Sequence, residues 1–276
     1  MSDKSLFADH RPSKRLGQNF LHNSAVINRI IEEFSPHADE TVIEIGPGRG
    51  ALTSQLVQRA GQVIAVEFDN TLAPALEKSF AQRENFKLIH ADALELDFCS
   101  AIQPARRARL IANLPYNIST AILQHLITQR HCIEEMLVML QKEVVDRMQA
   151  AAGSSERGYL SVLVEAYCET EKLFDVAPGS FRPQPKVWSS VVRLKFRSAL
   201  RDVRSEELLW SLVSAGFMQK RKTILNNMRN ATGKLQQVIK DNGGASIVLC
   251  KAGVDLQRRA ETLTVEEWVT ITNALC

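Results

Sequence analysis

The sequence predicts an α/β protein, a doubly wound parallel sheet followed by a small all-helical domain at the C-terminal end. Two patterns carry that expectation. Short apolar strand candidates recur at residues 41–45, 63–67, 87–90 and 110–112, with helix-length segments such as 51–60 and 70–81 between them. Strands alternating with helices read as βαβ units, which place helices on both faces of a parallel sheet. Beyond residue 196 the pattern changes: residues 206–217, 223–228, 247–252 and 265–274 read as helices, and no strand candidate follows. Composition agrees with a globular chain. The 276 residues are 45% hydrophobic and 24% charged, enough to bury a core in each of two domains and unlike disordered, collagenous or coiled-coil chains.

Each element has a local reason. Ile27, Ile30, Ile31 and Phe34 fall at i, i+3, i+4 and i+7, one apolar helix face, with Asn23 or Ser24 as the N-cap. Further strands at residues 136–140, 172–176 and 190–196 extend the sheet. Thr264 with Glu267 forms a capping box ahead of the last helix. The expected domains are therefore residues 1–199, including a basic N-terminal segment at 11–23, and residues 200–276. There is no internal repeat. No apolar run approaches the ~20 residues of a membrane helix, and the first fifteen residues lack the apolar core of a secretory signal. The five cysteines, Cys99, Cys132, Cys168, Cys250 and Cys276, form no CxxC pair and are expected as reduced thiols of a cytoplasmic protein.

Charge is divided along the chain. Residues 1–180 hold 18 Lys and Arg against 23 Asp and Glu, whereas residues 181–276 hold 16 against 8. A basic end on an acidic body points to a polyanionic partner. Arg193, Lys195, Arg197, Lys220, Arg221 and Lys222 are the candidate phosphate contacts, on a surface spanning the domain junction.

The first βαβ strand runs into Glu44-Ile45-Gly46-Pro47-Gly48-Arg49-Gly50. Glycines at the carboxyl end of a strand let the backbone turn tightly and approach a ligand, where open α/β sheets bind nucleotides. The spacing is GxGxG, so it matches neither the dinucleotide GxGxxG nor a phosphate loop, which needs a following Lys-Ser/Thr. Glu67 ends the second strand, 21 residues after Gly46, where an acid accepts hydrogen bonds from ribose hydroxyls. Asp92 follows the third, where a carboxylate can accept from an adenine amino group. Together they describe a site for an adenosyl ligand without a pyrophosphate, S-adenosylmethionine.

The fourth strand leads into Asn113, Leu114, Pro115 and Tyr116. An exocyclic amine on an aromatic base is a poor nucleophile, because its lone pair is delocalised into the ring. Two acceptors, the Asn113 side-chain oxygen and the Leu114 carbonyl, could take its two N–H bonds and stabilise positive charge as it develops on nitrogen. Pro115 stiffens that backbone, and Tyr116 offers a face for a base to stack on. No strong base is required, since the amine becomes acidic only after methylation.

At these residues the sequence resembles the ribosomal RNA adenine dimethyltransferase family, and within it the bacterial small-subunit branch. The matching stretches are Lys14-Arg15-Leu16-Gly17-Gln18-Asn19-Phe20-Leu21, the glycine loop, and Asn113-Leu114-Pro115-Tyr116-Asn117-Ile118-Ser119-Thr120. Phe181-Arg182-Pro183-Gln184-Pro185-Lys186-Val187 and Gln219-Lys220-Arg221-Lys222-Thr223 complete the set. Leu16 stands where Phe is common and Gln184 where Pro is common; neither removes a chemical group. The resemblance covers about residues 12 to 270. It implies a Rossmann-like class I methyltransferase sheet and methylation of two adjacent adenosines in the 3′-terminal hairpin of small-subunit rRNA. It also implies a pre-ribosomal particle as substrate, and a monomer is expected. Asn19 and Leu21 are implied to help close the cofactor site with Gly46, Glu67, Asp92 and Asn113, and Phe181 to stack on the flipped adenine opposite Tyr116.

No metal is expected: His10, His22, His37, His90, His125 and His131 show no ligand spacing with each other or with cysteine. The nearest rival is methylation of large-subunit rRNA, which the basic run at residues 219–223 followed by Asn226 and Asn227 disfavours by resemblance. A DNA adenine methyltransferase would want a separate sequence-reading domain, and a dehydrogenase a different glycine spacing. A non-catalytic rRNA-binding assembly factor stays open, although the intact Glu67, Asp92 and Asn113 argue for activity.

Overall fold

The computed structural model describes residues 7, 10, 12, 13, 15–197 and 202–276. Lys14, and the expected domain boundary at residues 199–200, lie outside them. Two compact units emerge. One comprises the chain up to Val145 together with Thr170–Phe196; the other comprises Asp146–Glu169 and Arg197–Cys276. The helical unit thus takes a segment from the middle of the chain that the sequence boundary assigned to the sheet.

In the first unit, β1 (Phe20–Leu21) precedes α1 (Ser24–Phe34), β2 (Thr41–Ile45), α2 (Thr53–Leu56), β3 (Gln62–Glu67) and α3 (Ala73–Phe80). Then come β4 (Phe86–His90), α4 (Phe98–Ala101), β5 (Ala108–Asn113), α5 (Ser119–Thr128) and β6 (Ile133–Gln141). Asn23 caps α1 by accepting from the backbone N–H of Ala25 and Val26, and Ile30, Ile31 and Phe34 are its buried face. After α6 (Lys142–Met148) and α7 (Tyr159–Tyr167) the chain adds β7 (Cys168–Val176), β8 (Phe181–Arg182) and β9 (Ser189–Phe196).

The main sheet has the order β4-β3-β2-β5-β6-β9-β7. The central strands β2, β3 and β5 are apolar and buried almost throughout, the signature of parallel strands covered on both faces, while edge strand β4 is half-exposed. The five strands from β4 to β6 are parallel, but β9 runs antiparallel to β6. Only residues 177–188 separate β7 from β9, and they are occupied by β8, so no crossover helix can form. β8 pairs instead with β1, Leu21 opposite Phe181, in a two-stranded sheet.

The second unit is helical beyond Arg197, with α8 (Glu206–Phe217), α9 (Ile224–Arg229), α10 (Gly233–Asp241), α11 (Ala245–Lys251) and α12 (Val265–Asn273). The capping box forms: Thr264 Oγ1 accepts from Glu267 N at 3.3 Å, and the Glu267 carboxylate accepts from Thr264 N at 2.9 Å. α7 joins this unit because it is apolar nearly all round, with seven of its nine residues buried. No described helix is long and apolar enough to cross a membrane.

Candidate active site

Sheet order and register place the candidate residues side by side. Ile45 is opposite Val66 on one side and Ala112 on the other. The next residue on each strand, Gly46, Glu67 and Asn113, therefore stands at one level along the carboxyl edge. His90 is opposite Glu67, and Ala91 N donates to Glu67 O at 3.1 Å, so Asp92 follows just past the end of β4 at the same edge. Four adjacent strands thus carry the group across three inter-strand spacings, about 14 Å.

These residues line a cavity of about 270 Å³ at that edge, along with Asn19, Phe68, Pro115 and Tyr116. A neighbouring cavity of about 510 Å³ is lined by Leu21, Glu44, Arg49 and Arg182. Gly46, Gly48, Phe20 and Asn113 belong to both, so Asn113 stands where the two meet. Gly48 is required by its surroundings: its φ is +58°, and a Cβ there would lie 2.9 Å from the Phe20 ring.

Asn113 is oriented by one contact. Its Nδ2 donates to the Asn19 carbonyl at 3.1 Å, which fixes the amide and leaves Oδ1 as an acceptor on a residue that lines both cavities. Leu114 is buried, and its N–H continues the ladder to Met139 O at 3.2 Å. The Tyr116 hydroxyl is 2.6 Å from Ser189 Oγ at the start of β9, which holds the ring; burial pushes the phenol above its ordinary value and keeps it neutral.

The acids differ in environment. Glu67 is 6% exposed; its Oε1 accepts from the N–H of Phe68 and Asp69 at 3.0 and 2.9 Å, and its Oε2 from Gly48 N at 3.3 Å. Burial raises its carboxyl, and those backbone donors oppose the rise. Asp92 is half-buried and uses Oδ1 to accept from Leu94 N at 2.9 Å. Both keep acceptor capacity toward the cavity.

Glu44, one residue before Ile45, is buried, and burial raises its carboxyl to about 7 despite a 2.6 Å hydrogen bond donated by Thr53 Oγ1. The folded chain therefore holds this proton more tightly than the unfolded chain, whose value is 4.5. The contribution to stability is fully present below pH 4.5 and is lost as pH rises through about 7. At 1.36 kcal/mol per pH unit this is worth up to about 3 kcal/mol. Glu44→Gln is expected to flatten the decline in thermal stability between those limits, read by melting curves across pH. Parallel pH profiles for variant and wild type would remove Glu44 as its source.

The N-terminal segment is latched over this edge by residues the sequence reading did not single out. Gln18 Nε2 donates to Asp69 Oδ2 at 2.7 Å, and His10 Nε2 lies 3.3 Å from the same oxygen. Burial alone would raise the Asp69 carboxyl, but the hydrogen bonds from Thr71, Gln18 and His10 outweigh it and hold it at about 2. Gly17, at φ +63°, lets the segment pass against Asn117, whose Oδ1 would be 2.7 Å from a Cβ. The only sequence signal was the Gly17-Gln18-Asn19 stretch itself.

Phe181 is 1% exposed and packs in the core of the first unit; it lines neither cavity. Pairing of β8 with β1 sets Phe181 opposite Leu21. Leu21 borders the second cavity and not the first. Among the basic residues, Lys195, Arg197, Lys220, Arg221 and Lys222 are exposed. Arg193 is engaged by Glu171 and the Glu33 carbonyl, each at 2.7 Å, and Arg197 Nε donates to Cys168 O at 3.2 Å. Cys99 and Cys132 are not free thiols: they are joined as a disulfide, with His131 Nε2 3.1 Å from Cys99 Sγ. The expectation of reduced thiols is corrected for this pair, while Cys168, Cys250 and Cys276 form no disulfide; the fold closes a separation of 33 residues, and brings His131 to Cys99, where spacing along the chain gave no signal.

A model of the ribosomal RNA adenine dimethylase family matches residues 9–275. The chain belongs to that family. It is 43% identical to ribosomal RNA small subunit methyltransferase A of Hahella chejuensis, over 95% of this chain and 92% of that protein. With the protein of the same name from Pseudomonas putida the identity is 42%, over 96% of each. The fold is shared with a dimethyladenosine transferase from Plasmodium falciparum, at a TM-score of 0.75, 24% identity and coverage of 91% and 95%. It is shared also with the 23S rRNA methyltransferase ErmE, at 0.64, 27%, and 93% and 99%. This family member is a Rossmann-like α/β methyltransferase, as the strand and helix pattern predicted.

Proposed function

We propose that this chain transfers methyl groups from S-adenosylmethionine to the 6-amino groups of two adjacent adenosines in the 3′-terminal hairpin of small-subunit rRNA, giving dimethyladenosines. One observation carries the chemistry: the Asn113 amide is fixed through Nδ2 by Asn19, so that Oδ1 is the acceptor where the two cavities meet. The choice of small-subunit rRNA is supported by the relatives above, which bear that name over nearly their full length.

The residues present fit the methyl donor. Glu67 would accept from its ribose and Asp92 from its adenine amine, and the missing Cβ at Gly48 leaves room beside the backbone. When bound, S-adenosylmethionine supplies an electrophilic methyl group. Asn113 Oδ1 and the Leu114 carbonyl accept the two N–H bonds of the target amine, which draws its lone pair out of the ring and stabilises positive charge as nitrogen acquires it. The proton leaves the nitrogen after methylation, through those acceptors to water. Tyr116, held by Ser189, presents its ring face to the base. Lys195, Arg197, Lys220, Arg221 and Lys222 are exposed cations for RNA phosphates. We place the reaction in the cytoplasm, on a pre-ribosomal particle, with the chain acting as a monomer.

Methyl-labelled S-adenosylmethionine offered in parallel with unmethylated small-subunit particles, naked small-subunit rRNA and large-subunit rRNA tests this assignment. Label is expected in the small-subunit particles. Label in large-subunit RNA alone would transfer the assignment to the ErmE-like reaction, and no label in any would favour the non-catalytic binding reading.

A further inference from the structure

A second constellation lies in the first unit, outside both cavities. Cys99 is carried by α4 and Cys132 immediately precedes β6, with Cα atoms 5.5 Å apart. The Cys99, Cys132 and His131 donor atoms all fall within 4.8 Å of one another. Cys132 is buried, Cys99 half-buried and His131 exposed, so the cluster opens to solvent on the histidine side.

The backbone that holds them together does not depend on the sulfur–sulfur bond. The Gln129 side chain accepts from Phe98 N at 2.6 Å and donates to Leu96 O at 2.9 Å, gripping the turn that leads to Cys99. The Gln129 carbonyl accepts from Cys132 N at 3.1 Å, and Cys132 O accepts from Ala108 N at 2.9 Å, fixing the other turn to the sheet. Asp97 caps α4 by accepting from Ser100 N at 3.0 Å. Reduction by a phosphine in water breaks the sulfur–sulfur bond: the phosphine gives two electrons and becomes its oxide, water supplies the oxygen and both protons, and two thiols are left facing each other on the same scaffold.

His131 adds an imidazole nitrogen at 3.1 Å from Cys99 Sγ. Two thiolates and a neutral imidazole form a soft S₂N set that suits a tetrahedral d¹⁰ cation, with a fourth position left for water. Sulfurs about 2.3 Å from a shared tetrahedral ion stand about 3.8 Å apart, a spacing that side-chain rotation reaches from these Cα positions. We propose that in the reduced protein Cys99, Cys132 and His131 bind a thiophilic divalent cation of the zinc class. Binding releases the two thiol protons to solvent. The ion then clamps the segment following Asp92 to the start of β6, taking the place of the disulfide.

The test uses full-length protein reduced with a phosphine, freed of metal, and titrated with Co²⁺ as the spectroscopic probe. A thiolate-to-cobalt charge-transfer band should rise to a plateau at one ion per chain and disappear on adding Zn²⁺. The band should be lost in Cys99→Ser/Cys132→Ser. His131→Ala, a surface change that leaves the fold intact, should raise the half-saturating concentration by more than about tenfold, the scale set by removal of even an outer partner of a ligand. No band in the wild type would overturn the site. So would a band of equal size in the double variant, which would assign the ion to the other cysteines, Cys168, Cys250 or Cys276. If the double variant does not fold, His131→Ala decides alone: an unchanged half-saturation contradicts the proposal.

Discussion

Asn113→Ala lowers the single-turnover rate of methylation at saturating S-adenosylmethionine by ~10²–10³, the scale seen when one preorganised transition-state hydrogen bond is removed. The expectation follows from where the acceptor acts. Its bond to the target amine strengthens only as nitrogen gains positive charge, so it belongs mainly to the transition state and not to the bound ground state. RNA affinity should change little, because phosphate contacts supply most of it. Some loss of cofactor affinity is expected as well, since the substitution also releases the Asn19 carbonyl that Nδ2 occupies and loosens the segment lining the cavity. Saturating cofactor separates the two effects. A variant that regains the wild-type rate under saturation would show that Asn113 only holds the cofactor in place.

Glu67→Ala is the second large effect, an expected 10- to 150-fold weakening of S-adenosylmethionine binding measured by titration calorimetry. A charge-assisted acceptor is worth ~1.5–3 kcal/mol, and each ~1.4 kcal/mol is a decade in affinity. The structure adds a second source of loss. The same carboxylate accepts from the N–H groups of Gly48, Phe68 and Asp69, so its removal also frees the glycine turn and the start of the following loop. Glu67→Gln keeps the shape and one acceptor oxygen, and should lose less. Unchanged affinity in the alanine variant would put the ribose contact elsewhere.

The parts of this molecule that could be read from its sequence are those whose cause is local. The parallel strands Thr41–Ile45 and Gln62–Glu67 are buried on both faces and therefore appear as short, mainly apolar runs, with Glu44 as the one acid before their last residues. α8 and the Thr264–Glu267 capping box follow from periodicity and from a four-residue pattern. From the strand ends, Gly46, Glu67, Asp92 and Asn113 could be placed in one row before any coordinates, because parallel strands carry their carboxyl ends to the same edge.

What stayed hidden is long-range. α7 is buried nearly all round, so it shows no polar stripe to mark a helix, and only its packing assigns it to the second unit. β1 and β8 are two residues each, too short for any period, yet their pairing decides that Phe181 faces the core. Gln18 and His10 reach Asp69 across 51 and 59 residues, and Cys99 reaches Cys132 across 33. Such contacts are consequences of the fold and leave no spacing for a motif to record.

The most direct measurement is nucleoside mass spectrometry of small-subunit rRNA recovered after incubation of unmethylated particles with the protein and S-adenosylmethionine. The account predicts dimethyladenosine at two adjacent positions of the 3′-terminal hairpin, and its near absence when Asn113→Ala is used for the same time. Methylation confined to another atom or base, or dimethyladenosine formed equally by the Asn113 variant, would contradict the assignment of the amine acceptor and with it the account of this site.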